Sequence, residues 1–162
     1  LKDKFRVLFV CTGNTCRSPM AEGILRKILE DRGIDNIEVS SAGISAEEGY
    51  PAARNAVIVS RDWGIDLTSH ISRQVSEEMI NSSDLILAMS SEHYDKLKQF
   101  PSADEKVFLL KGFPKRPNDM NMETVDDPIG ESLQVYSRVF LELDEIIRKI
   151  LPKIIELSKK PQ

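Results

Sequence analysis

Strands alternating with amphipathic helices predict an α/β fold, with three α/β/α layers around a four-stranded parallel sheet, Rossmann-like in its winding. Three observations carry this: short β-branched apolar runs, helical stripes between them, and glycines or prolines at the joins. Phe5 to Val10 is apolar apart from Arg6, which fits a strand buried on both faces. A helix follows from Pro19, with Met20, Ala21, Ile24, Leu25, Ile28 and Leu29 at helical spacing up to Gly33. Ile37 to Ser41 is the second strand, and Ala52 to Trp63 a helix ended by Gly64. Leu85 to Met89 and Lys106 to Leu110 supply strands three and four. The stretch from Lys111 to Val125 has no period and is expected as an irregular surface connection. A long covering helix is expected from Ser132 to about Leu157, with Pro152 kinking or interrupting it.

The 162 residues fit one domain, 1–162, and 41% apolar with 30% charged residues is ordinary for a soluble globule. A net charge of −4, spread over mixed acids and bases, gives no reason to expect nucleic acid or a membrane as partner. No apolar run approaches the length of a bilayer span, and Leu1-Lys2-Asp3-Lys4 leads into a strand, so a cytoplasmic location is expected. A monomer is expected too. Cys11 and Cys16 lie five apart, a spacing for reactive chemistry rather than for stapling distant segments. With His70 and His93 isolated in sequence, no metal site is expected, and no cofactor.

Cys11-Thr12-Gly13-Asn14-Thr15-Cys16-Arg17-Ser18 joins the first strand to the first helix. Such a turn points successive backbone N–H groups at one centre, and the helix start adds partial positive charge, so it cradles an anion. Arg17 brings a guanidinium fork that matches two phosphate oxygens. Cys11 sits on the floor of that positive pocket, where the thiolate is favoured and can attack phosphorus. Ser18 can donate to the sulfur and help it leave when the phosphocysteine is hydrolysed. Gly13 is expected at positive φ, with Asn14 holding the loop through side-chain hydrogen bonds. The reaction also needs an acid for the leaving group and a base for water, and Asp127, fixed before Pro128, is the candidate.

These residues resemble the low-molecular-weight protein tyrosine phosphatases and their bacterial relatives over nearly the whole chain. The likeness rests on Val10 to Glu22, Ser41-Ala42-Gly43, Ser69 to Gln74, Asp84 to Met89 and Asp126 to Gly130. It implies a phosphocysteine intermediate, no metal, Asp127 as acid, phosphorylated proteins as substrates, and a polar network of Asn14, Ser18, Ser41 and His70 that shapes the loop. Tyrosine-directed members usually carry an aliphatic residue where Thr15 stands and aromatic residues after the Asp-Pro pair, where this chain has Ile129. With Thr15 the loop is similar to that of bacterial protein arginine phosphatases, since a small hydroxyl leaves room for a planar polar guanidinium and offers it a hydrogen bond. Tyr50 could still rim the cleft with an aromatic surface, so a tyrosine phosphatase is the alternative. Thioredoxin-coupled arsenate reductases share the loop, but their disulfide relay needs cysteines outside it. A noncatalytic phosphate-binding module would not require both Cys11 and Asp127. Cys16 is a candidate redox partner for Cys11, forming a disulfide under peroxide.

Overall fold

The computed structural model describes residues 4–116 and 124–160. Four parallel strands, β1 (Phe5–Cys11), β2 (Ile37–Gly43), β3 (Leu85–Ala88) and β4 (Val107–Leu109), lie in the order β2-β1-β3-β4. Helices α1 (Arg17–Asp31), α2 (Arg54–Asp62) and α5 (Leu133–Ser158) cover one face; α3 (Glu77–Ser82), α4 (Ser91–Leu97) and a 3₁₀ turn at Pro101–Ala103 cover the other.

Strand alternation explains the two cores. Val7, Phe9 and Cys11 of β1, with Leu85 and Leu87 of β3, face α1 and α5, while Leu8, Val10, Ile86 and Ala88 face α3 and α4. Each fully buried Val, Leu, Ile or Phe among them contributes about 1.5–3 kcal/mol. From β1 the chain moves to β2 on one side, then returns to β3 and β4 on the other. The strand order therefore reverses beside β1, and the crevice at its carboxyl end is where ligands bind in open α/β sheets. Cys11 is the last residue of that strand.

Several boundaries differ from expectation. β2 runs two residues further, because Ala42 and Gly43 pair in register with Val10 and Cys11. α2 begins at Arg54 rather than Ala52, since Ala53 is extended at ψ 144°, with its N–H donating to the Thr15 carbonyl 2.9 Å away on the loop. β3 and β4 are each trimmed at their ends. α3 and α4 were not legible; they are one to two turns long, too short for an apolar period, although Ser76 caps α3 by accepting from the Met79 N–H. Pro152 does not interrupt α5, which continues to Ser158 because Leu151 and Ile154 are buried on either side of it. Of the connection from Lys111 to Val125, residues 117–123 lie outside the described residues.

Candidate active site

Every backbone feature of the loop serves to turn it sharply. Gly13 is not at positive φ; Asn14 takes that conformation, at φ 59°, correcting the expectation. Asparagine tolerates the left-handed region, and here its buried side chain makes three hydrogen bonds that hold it there. Its Nδ2 donates to Ser18 Oγ at 2.8 Å and Ser41 Oγ at 2.9 Å, and its Oδ1 accepts from the Arg73 N–H at 2.9 Å. His70 Nε2 donates to the Asn14 carbonyl at 2.7 Å. The glycine that the loop does need is Gly43: a Cβ there would stand 2.3 Å from the Thr12 carbonyl oxygen and 3.0 Å from the Asn14 nitrogen. The amide N–H groups of residues 12–16 donate to no protein acceptor among the described residues, which leaves them for an anion.

The polar network has a direction. Ser41 donates to Glu22 Oε1 at 2.6 Å, and Glu22 also pairs with Arg26. A carboxylate only accepts, so Ser41 keeps its lone pairs for Asn14. Asn14 in turn occupies a lone pair of Ser18, leaving the Ser18 O–H free to donate to Cys11 Sγ, 2.8 Å away. Negative charge on that sulfur is stabilised by the last donor of a chain of four side chains.

Arg17 is buried, at 5% exposure, and each arm is spoken for. Nη1 donates to the Val125 carbonyl at 3.0 Å, and Nη2 to Thr12 Oγ1 at 3.3 Å. Nη2 also pairs with Asp127 Oδ2 at 3.3 Å. Val125 is itself pinned, its N–H donating to the Met89 carbonyl at 2.8 Å. The end of β3 and the guanidinium thus anchor the segment that carries Asp127, whose Oδ1 accepts from the Ile129 N–H at 3.1 Å. Asp127 is half-exposed while Arg17 is not, so the carboxylate stands at the mouth above the guanidinium. The fold thus brings a thiol, a buried guanidinium and a half-exposed carboxylate to the end of β1, the groups that phosphoryl transfer to cysteine uses.

A sequence profile of the low molecular weight phosphotyrosine protein phosphatases matches residues 6–162. The chain belongs to this family. The protein-arginine-phosphatase of Geobacillus stearothermophilus is 38% identical over 151 residues, 93% of this chain and 96% of the relative. The low molecular weight protein tyrosine phosphatase of T. tengcongensis superposes with a TM-score of 0.84 at 41% identity, covering 93% of this chain and 99% of that one. A cysteine-to-serine mutant of the YwlE arginine phosphatase, bearing a phosphorylated active-site serine, gives 0.83 at 36% identity, with 93% and 96% covered. This low-molecular-weight phosphatase is a cysteine-dependent enzyme that acts on phosphorylated proteins.

The sequence assigns no role to four residues of its site, Glu22, Arg73, His93 and Tyr136, although Glu22 and Arg73 fall within the segments that carry the resemblance. His93, isolated in sequence, lies against the loop with Nε2 2.8 Å from Thr12 Oγ1 and Nδ1 3.0 Å from Ser90 Oγ. Burial, followed by the nearby Arg17 cation, lowers its pKa to about 4. Between pH 6.5 and about 4 the unfolded chain takes up a proton that folded His93 refuses, so this residue's contribution is present above pH 6.5 and lost as pH falls. Urea unfolding at pH 7 and pH 4.5 should show the wild type losing up to roughly 3 kcal/mol more than His93→Gln. Equal losses would contradict it.

Cys11 and Cys16 are both free thiols. The Cys16 sulfur is 3.2 Å from the Tyr136 hydroxyl on α5, and burial pushes the Cys16 thiol pKa up. Burial and the same contact raise Tyr136 as well. Among the described residues, no helix is long and apolar enough to cross a membrane.

Proposed function

We propose that the enzyme hydrolyses phosphoarginine on proteins through a phosphocysteine intermediate. The loop amides of residues 12–16 and Arg17 bind the phosphoryl oxygens, and Cys11 Sγ attacks phosphorus as the P–N bond breaks. Asp127 gives its proton to the departing guanidine nitrogen. In the second step Asp127 takes a proton from water, the water oxygen bonds to phosphorus, and the S–P electron pair returns to Cys11, where Ser18 receives it with a hydrogen bond. The serine phosphorylated in the YwlE mutant supports a covalent step at this position.

The observation that carries the substrate reading is the placement of Thr15. It lines a pocket of about 490 Å³ with Gly13, Tyr50, Ala52 and Arg54 beside the loop. Its hydroxyl lies over Gly13, where an added Cβ would come within 3.8 Å of it. The side chain's contact is with Cys16 Sγ at 3.7 Å, not with the loop backbone, so the hydroxyl is available to a guanidinium N–H. Ile129, 62% exposed beyond Asp127, offers a phenol no ring to stack on.

The tyrosine phosphatase reading keeps one observation in its favour: Tyr50, 54% exposed, lines the same pocket. Thr15→Ile separates the two. It should lower kcat/KM on phosphoarginine peptides by about tenfold or more, the value of a hydrogen bond to a charged group plus steric crowding, while phosphotyrosine turnover holds or rises. A substitution that left the ratio of the two unchanged would remove Thr15 from the account.

A further inference from the structure

His93 belongs to α4, an element separate from the loop and from the strand that carries Cys11, yet it is among the most buried polar residues of the protein, at 1% exposure. Neither imidazole nitrogen is idle. One holds Ser90 and the other Thr12, and Thr12 is the acceptor for Nη2 of Arg17.

We propose that His93 is a positioning residue for phosphate binding, fixing the Thr12 hydroxyl so that its oxygen orients the Arg17 guanidinium. This rests on Arg17 being the phosphate clamp. The Thr12 hydroxyl has one proton and two lone pairs, and Arg17 Nη2 donates to one of these. His93 Nε2 takes what remains, whether it accepts the hydroxyl proton or donates to the second lone pair. In both arrangements the ring stops Thr12 from turning among its staggered rotamers. Ser90 fixes the ring in turn, at the start of α4.

Without that contact Nη2 keeps only Asp127, a half-exposed partner at the mouth, and the fork tilts outward from the phosphate oxygens. Val125 holds the other arm regardless, so the guanidinium stays in place but loses its angle. The imidazole is suited to this as a neutral group: burial and the facing Arg17 cation keep it uncharged, against the opposing pull of Asp127. A cation at that position would repel the clamp it orients.

The experiment is steady-state kinetics with p-nitrophenyl phosphate, together with inhibition by inorganic phosphate. His93→Gln carries an amide to the place of Nε2 and keeps the reach to Thr12, whereas His93→Asn reaches only toward Ser90. The Asn variant should raise KM and the phosphate inhibition constant about tenfold with kcat changed less than about threefold, and the Gln variant should stay within about threefold of wild type. On a Thr12→Val background, His93→Asn should add nothing further. The proposal is overturned if Gln and Asn behave alike, or if Asn costs as much without the Thr12 hydroxyl as with it. Arg17→Lys is measured alongside; full phosphate affinity there would remove the clamp itself, and His93's role with it.

Discussion

Cys11→Ser is expected to abolish turnover, with kcat/KM down by at least about 10⁴-fold, while inorganic phosphate still binds. The two halves of this result come from different atoms. In the proposed function phosphate is held by loop amides and by Arg17, and the substitution touches none of these donors. Attack on phosphorus needs a polarisable anion at the end of β1, where Ser18 donates to it from 2.8 Å, and a serine hydroxyl is a far weaker nucleophile there. The check is turnover of a phosphopeptide together with calorimetric phosphate binding on the same preparation. Undiminished turnover would place the nucleophile elsewhere, and lost binding with lost turnover would indicate a collapsed loop.

Arg17→Lys should cost about 10² to 10³ in kcat/KM despite keeping the charge. The guanidinium reaches Val125, Thr12 and Asp127 at once, and it does so buried. An ammonium has a single nitrogen and cannot bridge those partners and still present two parallel N–H bonds to phosphate. Part of the loss should appear as misplacement of Asp127, because the Val125 carbonyl that Arg17 holds is two residues away from it. Comparing substrates with good and poor leaving groups reads this directly: the poor one, which needs the acid, should suffer more. Equal losses on both would detach Asp127 from Arg17.

The fold and the chemical core were legible because they are local. Apolar runs and stripes announce strands and helices, and Cys11, Asn14, Arg17 and Ser18 fall within eight consecutive residues, so their meeting follows from one strand-turn-helix. Ser41 and His70 entered only through family resemblance, and both take their places around Asn14. What stayed illegible depends on contacts across the chain. His93 lies 81 residues from Thr12, and Tyr136 lies 120 from Cys16, with nothing near either in sequence to mark them. Gly13 and Asn14 show the limit even within the loop. Glycine was the natural choice for positive φ, but the decisive factor was a side chain able to satisfy itself in three directions, which places the strain on Asn14. Glycine's freedom was needed instead at Gly43, in the neighbouring strand, where the loop carbonyl of Thr12 comes too close for any side chain.

Substrate choice is the claim on which the account depends most. The most direct measurement is kcat/KM of the wild-type enzyme on two peptides of the same sequence, one phosphorylated on arginine and the other on tyrosine at the same position. The Thr15 hydroxyl beside the loop and the lack of an aromatic residue at Ile129 predict a clear preference for the phosphoarginine peptide, about tenfold or more. A preference for the phosphotyrosine peptide would contradict the account and make Tyr50 the wall of a phenol site.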